Sequence, residues 1–306
     1  MTNMNKNDVK WEGILTVPVI PFDEKGNIKE QALIEFIESM VKDGVHGIII
    51  SGHNSESWAT TREEKKRLCK LVVDSFADKV PILAGVEGVT PKEVIEGCND
   101  AKEAGVEGVM ITPPHMVATA TDKEVIERYK IISNEIDLPI MLYNNPRRTQ
   151  IRLYPELLDQ LADIEKVVAL KNSVLDIQEL TTVIDKIGDR VAVFSNDIMM
   201  LPSVLVGSQG VICTGPMEFL GKDFVEFWEN LKQRIVNEEV INFHKKISKI
   251  RKLIIPGKYG THPATFKAAL NILGKDVGIP RLPVLPVEEK YLPKLREDLR
   301  EIGLLV

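Results

Sequence analysis

The sequence predicts an α/β fold, a (β/α)8 TIM barrel with a C-terminal helical extension. Three observations indicate it: eight short and nearly all-apolar runs, amphipathic stretches of helical period between them, and glycines that close several of these stretches. Strands that are apolar throughout are typical of a parallel sheet covered on both faces. A length of 306 residues accommodates a barrel of about 250 residues and an extension.

The eight apolar runs are the predicted strands. Each is short and rich in β-branched residues, as expected for a strand buried on both faces. They are Ile14–Ile20, Gly47–Ser51, Val80–Val86, Gly108–Thr112, Pro139–Tyr143, Lys166–Lys171, Val191–Ser195 and Gly210–Cys213.

Stretches with a period near 3.6 residues lie between these runs and predict helices that pack on the sheet. Three clear apolar stripes are Ala32/Leu33/Phe36/Ile37/Met40/Val41, Val125/Ile126/Tyr129/Ile132/Ile136 and Ile177/Leu180/Val183/Ile184/Ile187. Gly44, Gly105 and Gly188 follow helical patterns and are expected to end them. An open, doubly wound sheet is the competing fold, but no G-x-G-x-x-G motif follows the first strand.

The pattern changes after Gly215, where helical spacing continues without further strands. Residues 1–215 are therefore assigned to the barrel, and residues 216–306 to its last helix and a C-terminal helical cap. Predicted helices there include roughly Ala264–Leu273 and Val287–Ile302. No flexible linker separates the two parts, so the cap is expected to pack tightly on the barrel.

Composition excludes several functional classes. Lys plus Arg is 39 and Asp plus Glu is 45, so the formal net charge is 39 − 45 = −6, which argues against nucleic-acid binding. No apolar stretch approaches the roughly 18 residues of a membrane helix, and no signal peptide is visible. The three scattered cysteines give neither a disulfide framework nor a CxxC metal motif. A cytoplasmic protein is expected.

In a barrel of this kind, chemistry resides where the strands end. Lys171 is exceptional there because it closes the apolar run Val167–Leu170. A lysine at the barrel mouth loses hydration, which disfavours the ammonium form, and a neutral amine is the form that attacks a ketone. A lysine that forms an ion pair or extends to solvent is the structural alternative.

Tyr143 and Arg148 follow the neighbouring strand and suit the same chemistry. A phenol can carry a proton between an imine, water and substrate. An arginine can hold a carboxylate through two hydrogen bonds. Each has a common structural explanation by itself, but their location on adjacent strands with Lys171 favours a shared site.

The chain resembles the dihydrodipicolinate synthase / N-acetylneuraminate lyase family of pyruvate-dependent class I aldolases. The family motif Tyr-Asn-x-Pro matches residues 143–146, and the Schiff-base lysine matches Lys171, at a spacing of 171 − 143 = 28 residues. The segment Pro18-Val19-Ile20-Pro21-Phe22-Asp23-Glu24-Lys25-Gly26 and the C-terminal Pro263-Ala264-Thr265-Phe266-Lys267 and Arg281-Leu282-Pro283 also match, so the likeness covers nearly the whole chain.

The resemblance implies that Lys171 forms an imine with pyruvate or another 2-oxo acid, and that Tyr143 relays the proton. It implies that Arg148 holds a substrate carboxylate at the mouth. The 2-oxo-acid carboxylate is expected on backbone N–H groups and the side chains of Asn54 and Ser55.

The remaining expectations concern the rest of the pocket and the assembly. Asn196 and Ile212 are predicted to line the pocket beyond the imine. The family needs no metal or other cofactor, and its members are mostly homotetramers, so a homo-oligomer (a tetramer or a dimer) is expected. The expected partners are a small-molecule 2-oxo acid and an aldehyde, without nucleic acid or membrane.

The sequence departs from the family in the residues of the proton relay. The family's Gly-Thr-Thr-Gly-Glu is replaced by residues 52–56, so that His53 stands at the relay threonine. His115 stands at the tyrosine that a neighbouring subunit contributes. Imidazoles titrate near pH 6.5, so both histidines become candidate catalytic acids or bases, and another reaction on a 2-oxo acid becomes more plausible than lysine biosynthesis.

Three alternatives to the Schiff-base aldolase with an unknown second substrate remain open. The first is an aldolase or dehydratase of 2-keto-3-deoxy sugar acids in the same family. The second is a homologue that binds 2-oxo acids without catalysis. The third is a metal-dependent lyase in which His53, His115 and Asp197 hold the ion.

Overall fold

The computed structural model describes residues 4–255 and 257–306. Eight parallel strands close into a barrel in sequence order, and the first strand pairs with the eighth. The predicted (β/α)8 barrel is therefore confirmed. The strands are β1 (Gly13–Thr16), β2 (Gly47–Ile50), β3 (Ile82–Val86), β4 (Gly108–Ile111), β5 (Ile140–Asn144), β6 (Val167–Asn172), β7 (Ala192–Asn196) and β8 (Gly210–Cys213).

The strands are apolar along most of their length because both of their faces are buried. In β2, Ile49 points into the barrel with Leu15 and Phe194, whereas Ile48 and Ile50 pack against the surrounding helices. A strand between two apolar layers has no solvent face on which polar residues could alternate. This arrangement explains why the strands were visible in the sequence as continuous runs.

The first strand is shorter than predicted. The prediction extended it to Ile20, but β1 ends at Thr16, and the last barrel bond from this segment runs from Val17 N to Cys213 O at 3.2 Å. Pro18 has no N–H to donate to a neighbouring strand, which ends the pairing there.

Helices surround the barrel in the expected order. Thr61, Thr90 and Thr121 each accept a hydrogen bond from the third residue of their helix, a glutamate that bonds back to the threonine N–H. The helices are α1 (Glu30–Lys42), α2 (Arg62–Phe76), α3 (Pro91–Ala104), α4 (Asp122–Glu135), α5 (Pro146–Thr149), α6 (Pro155–Leu161), α7 (Ile177–Ile187), α8 (Met200–Leu205), α9 (Pro216–Leu220), α10 (Lys222–Lys232), α11 (Glu238–Ile254), α12 (His262–Ile272) and α13 (Leu292–Ile302).

The three glycines expected at helix ends behave differently. Gly44 and Gly105 have φ of 97° and 93°, the left-handed conformation typical of a terminating glycine. Gly188 keeps right-handed helical geometry, with φ −67°. A Cβ at Gly188 would lie 2.5 Å from Ile184 O, so close packing and not a left-handed turn requires glycine there.

The C-terminal helices pack as predicted, with one difference at the last of them. The segment predicted as one helix from Val287 begins with a 3-10 turn at Glu289–Tyr291, and α13 starts at Leu292. Pro293 sets this start, since proline is favoured in the first helical turn, where its missing N–H costs no bond. The division of the chain at residue 215 stays a prediction.

The extension is joined to the barrel by buried polar contacts. The ammonium of Lys267 in α12 donates to Ile20 O at 2.6 Å and to Ile279 O at 2.9 Å. In the part of the chain that the structure describes, no helix has both the length and the apolar character needed to cross a membrane.

Candidate active site

Lys171 and Tyr143 are neighbours at the carboxyl ends of β6 and β5. The two residues are in register across the strand pair, and Lys171 Nζ lies 4.2 Å from the centre of the Tyr143 ring. Lys171 is buried, with 5% of its surface exposed. Among residues 4–255 and 257–306, no carboxylate lies within 4.0 Å of its ammonium. The amine is therefore close to a phenol and is not held in an ion pair.

The phenol of Tyr143 is polarised by its surroundings. Asn145 Nδ2 donates to Tyr143 Oη at 2.8 Å. Burial alone would raise the pKa of Tyr143, but the charges of Lys171 and Arg148 and the bond from Asn145 outweigh it, so the pKa is lowered. A phenol of lowered pKa gives up its proton more readily, which suits a group that must both donate and accept one.

Amide side chains fix the ends of these two strands. Asn144 Nδ2 donates to Asn172 Oδ1 at 3.0 Å and to Leu153 O at 2.8 Å, and Asn144 Oδ1 accepts from Leu153 N at 3.0 Å. Asn144 and Asn172 directly follow Tyr143 and Lys171 in their strands. These bonds hold the two reactive side chains on a rigid part of the barrel rather than on a mobile loop.

The loop after β2 carries His53, Asn54 and Ser55 in a single 3-10 turn. Asn54 Nδ2 donates to Val17 O at 2.6 Å, while its Oδ1 is buried without a hydrogen-bond partner among the described residues. The Ser55 hydroxyl donates to Pro18 O at 2.7 Å, and its N–H donates to Gly52 O at 3.0 Å. Both donors of Ser55 are thus used within the protein, and a substrate carboxylate could reach them only if one bond broke.

His53 approaches the Tyr143 ring edge-on, with 6.2 Å between ring centres. Its Nδ1 lies 3.1 Å from Glu87 Oε1, although the pair is not aligned as a regular hydrogen bond. Burial, with the charges of Arg148, Lys171 and His115, lowers the pKa of His53 to about 3. The imidazole is therefore neutral at physiological pH. A neutral imidazole can accept a proton at one nitrogen and donate one at the other.

The structure places His115 and Arg148 around the same space. His115 is half-buried on the loop after β4, and Arg148 is exposed on α5. Both lower the pKa of His53 through their charge, and both oppose the burial that raises the pKa of Glu87. These shared effects place the two side chains in the neighbourhood of His53 and Glu87.

The last two predicted site residues lie on β7, which pairs with the Lys171 strand β6, and on β8, which pairs with β7. Asn196 ends β7 half-buried, and its Oδ1 accepts from Met199 N at 3.2 Å. Ile212 in β8 is buried in the cluster that fills the barrel. The two residues are in register across β7 and β8, and Ile212 contributes to the apolar interior of the barrel.

A model of the dihydrodipicolinate synthetase family matches residues 10–302. The chain belongs to this family. It is 32% identical over 297 residues to the 4-hydroxy-tetrahydrodipicolinate synthase of Bacillus subtilis (strain 168), covering 96% of this chain and 100% of the relative. It is 29% identical over 296 residues to the same-named enzyme of Geotalea uraniireducens (strain Rf4), covering 96% and 100%.

Solved structures give the same result. The dihydrodipicolinate synthase of Thermotoga maritima superposes with a TM-score of 0.89 at 26% identity, covering 97% of this chain and 100% of that one. YagE, a prophage protein of E. coli K12 solved in complex with pyruvate, superposes with a TM-score of 0.89 at 22% identity over 97% and 100%. The predicted family is thus confirmed, and the chain is a lyase of the Schiff-base, pyruvate-dependent aldolase type.

The described residues provide no set of ligands for the metal-dependent alternative. Among the described residues, no three His, Cys, Asp or Glu side chains are grouped closely enough to hold a metal ion. Asp197, the proposed third ligand, is fully buried. It accepts from Thr214 N at 2.9 Å and lies 3.3 Å from Arg251 Nε.

Sequence reasoning missed two residues of this dihydrodipicolinate synthetase family site, Glu87 and Asn145. Glu87 directly follows β3, so the rule that selected Lys171, a charge closing an apolar strand, would have found it. Asn145 occupies the variable position of Tyr-Asn-x-Pro. Its bond to the phenol depends on the turn into α5, for which the motif gave no signal.

Proposed function

We propose that this protein forms an imine between Lys171 and the keto carbon of pyruvate or a related 2-oxo acid, and makes or breaks the carbon–carbon bond next to it. The observation that carries the proposal is the buried Lys171 amine, which has no ion-pair partner among the described residues and lies 4.2 Å from the ring centre of Tyr143 at the barrel end. The chemistry needs no metal and no other cofactor.

The steps follow from the chemistry of an amine and a ketone. The Lys171 amine adds to the keto carbon, and loss of water gives the imine. Loss of a proton from the adjacent carbon gives an enamine, which attacks the carbonyl carbon of an aldehyde. The aldehyde oxygen takes up a proton, and water then releases the product and regenerates Lys171. Tyr143 carries the protons in these steps.

The proposed binding roles follow the positions of the side chains. Asn54 has one amide N–H beyond the bond to Val17 O, and this N–H would hold the carboxylate of the 2-oxo acid. Arg148, exposed at the mouth, would hold a carboxylate of the second substrate. Ser55 would keep the loop in shape, and Asn196 and Ile212 would line the pocket.

His53 and His115 would replace the hydroxyl relay of the family. A neutral imidazole beside Tyr143 can exchange protons with the phenol at physiological pH. This change argues that the aldehyde differs from that of the relatives. A semialdehyde, a sugar-acid aldehyde and an aromatic aldehyde are the three classes to compare.

Borohydride trapping tests the imine. Wild-type protein treated with pyruvate and borohydride should gain the mass of a reduced pyruvate adduct on Lys171. Lys171→Ala should gain none, whereas Lys123→Ala, which removes an exposed lysine on α4, should trap as the wild type does. Failure to trap any member of a panel of 2-oxo acids on Lys171 would contradict the proposal.

Turnover assays separate the alternatives. Wild-type protein should convert at least one aldehyde of the panel or cleave one 2-keto-3-deoxy sugar acid, and Lys171→Ala should convert none. Trapping without any turnover would instead indicate a binding protein. Activity lost in chelator and retained by Lys171→Ala would indicate the metal-dependent lyase.

We also propose a cytoplasmic homo-oligomer, a tetramer or a dimer. Met116 and Trp58 are 75% and 43% exposed beside His115 and His53, and such apolar side chains near a site suit contact with a second copy. Cys69, Cys98 and Cys213 are buried free thiols, which suits a reducing compartment. Light scattering of the purified protein measures the mass, and a monomer would contradict the proposed assembly.

A further inference from the structure

Glu87 faces His53 across the barrel end. Its Oε1 lies 3.1 Å from His53 Nδ1, and the two side chains are 20% and 21% exposed. Among the described residues, no lysine or arginine nitrogen lies within 4.0 Å of this carboxylate, so the imidazole is its only close basic neighbour. Several surface glutamates elsewhere on the chain pair with lysine or arginine, as Glu96 does with Arg62 at 2.7 Å.

The backbone around Glu87 is fixed. Arg128 in α4 donates to Gly88 O at 2.7 Å and to Val89 O at 2.6 Å. Glu93 accepts from Val89 N at 2.8 Å. The Ser57 hydroxyl donates to Glu87 Oε1 itself at 3.2 Å. The backbone next to Glu87 is therefore held by Arg128 and Glu93, and the carboxylate by Ser57, as suits a group that positions a catalytic side chain.

We propose that Glu87 is a positioning residue that holds the His53 imidazole through Nδ1, so that Nε2 exchanges protons with the Tyr143 phenol and the bound substrate. The inference rests on the proposed function, since it assigns Glu87 a role in the relay that serves Lys171. A histidine whose one nitrogen is bonded to a carboxylate has a fixed ring orientation and a fixed tautomer.

The electrostatics of the pair agree with this geometry. Burial raises the pKa of Glu87 and lowers the pKa of His53. Both shifts disfavour the charged form of the group concerned, so burial favours a neutral ring at His53 and opposes the ionisation of Glu87. A small rotation of the ring would align the 3.1 Å contact as a hydrogen bond, and such bonds are often loose before substrate binds.

Exchange of the pyruvate methyl protons with solvent deuterium tests the relay without knowledge of the second substrate. Each imine–enamine cycle removes one such proton, and NMR measures the loss of the methyl signal. Glu87→Ala should slow this exchange about tenfold to a hundredfold, while borohydride still traps the imine on Lys171 to the same endpoint. Glu87→Gln keeps an acceptor oxygen at the same place and should restore exchange to within about threefold of wild type.

A double-mutant cycle separates positioning from a structural role. If Glu87 acts through His53, adding Glu87→Ala to His53→Ala should slow exchange by less than about twofold more. Glu96→Ala, a carboxylate removed from the exposed face of α3, should leave exchange unchanged and serves as the matched control.

The outcomes distinguish the two proposals. Wild-type protein that neither traps pyruvate nor exchanges its methyl protons contradicts the proposed function itself. Trapping and exchange in wild type, with Glu87→Ala and Glu87→Gln equal to wild type, contradict only the role of Glu87. Additive losses in the double mutant, or a Glu87→Gln variant as slow as Glu87→Ala, also overturn it.

Discussion

Two lysines of this protein, Lys267 and Lys171, are both buried, but they differ in how far polar partners compensate for the loss of water. Lys267 is fully buried, forms an ion pair with Glu56 and donates to the carbonyl oxygens of Ile20 and Ile279. Lys171 is nearly as buried, but no carboxylate pairs with it in the described structure, and its closest aromatic neighbour is Tyr143. Both lysines therefore lose water, and only one of them receives full compensation.

The comparison shows that burial alone does not make a lysine reactive. The partners of Lys267 use its donors and connect α12 to the loop after β2. Burial still lowers the pKa of Lys267 to about 8, against the effect of Glu56. The surroundings of Lys171 leave its amine available to react with a substrate. The folded protein tolerates the free-energy cost of burying this amine at its functional site.

The largest expected effect separates the two lysines by activity. Lys171→Met should lower turnover by on the order of 10⁴-fold, since no other group can form the imine. Its free energy of unfolding should stay unchanged or rise by about 1 kcal/mol, because the replaced amine has no ion pair to lose. Steady-state kinetics and denaturant unfolding measure both. A free energy of unfolding that falls by more than about 2 kcal/mol in Lys171→Met would show that Lys171 has a structural role.

Lys267→Met should show the reverse pattern. Removal of one partner leaves Glu56 buried and unpaired, which should lower the free energy of unfolding by about 3–5 kcal/mol. The double variant Lys267→Met/Glu56→Gln should recover part of that loss, since it removes the unpaired charge as well. Borohydride should still trap the folded fraction on Lys171. If Lys267→Met and wild type had equal free energies of unfolding, the contrast between a structural Lys267 and a reactive Lys171 would not hold.

Glu218 extends the comparison to a buried acid that has no ion-pair partner within 4.0 Å among the described residues. Burial raises the pKa of Glu218 to about 8, although Thr16 Oγ1 and Gly215 N each donate to it at 2.9 Å. The folded state binds the proton more tightly than the unfolded chain does. Its contribution to stability is therefore complete below about pH 4.5 and is lost as the pH rises through about 8.

This linkage predicts a loss of about 2 kcal/mol of stability between pH 6 and pH 8. Glu218→Gln keeps a neutral side chain of the same shape and should remove that slope. Denaturant unfolding across this pH range, with Glu96→Gln as an exposed control, measures it. A slope that persists in Glu218→Gln would assign the pH dependence to another group.

The smallest expected effect concerns the phenol beside Lys171. Asn145→Val removes the amide that donates to Tyr143 Oη and should raise the pKa of Tyr143. Exchange of pyruvate methyl protons should slow by about threefold to tenfold, the worth of one hydrogen bond. Unchanged exchange would mean that Lys171 and Arg148 polarise the phenol without help from Asn145.

Regular elements were predictable because both faces of each strand are buried and each helix has one apolar stripe. Those patterns are local, so the eight strands and the positions of Lys171 and Tyr143 at adjacent strand ends could be read from the sequence. The predicted boundaries were wrong where a single proline sets the end or the start of an element, as at Pro18 and Pro293. A proline changes where an element begins or ends without altering the apolar pattern.

Other features depended on contacts between distant segments. The pairing of Glu87 with His53, the bond from the Ser55 hydroxyl to Pro18 O and the bond from Thr16 to Glu218 each join residues far apart in the chain. Their partners are set when the barrel closes and its loops meet.

The sequence by itself determined the barrel and the lysine–tyrosine pair, because apolar periodicity and strand order fix which strand ends are adjacent. Its resemblance to known motifs indicated the family. Only the tertiary structure decided which buried ionisable groups are paired with a partner and which remain available to contact a substrate. The physical reason is that the free energy of a buried ionisable group depends on distances of a few ångströms to groups on other elements, and those distances exist only in the folded chain.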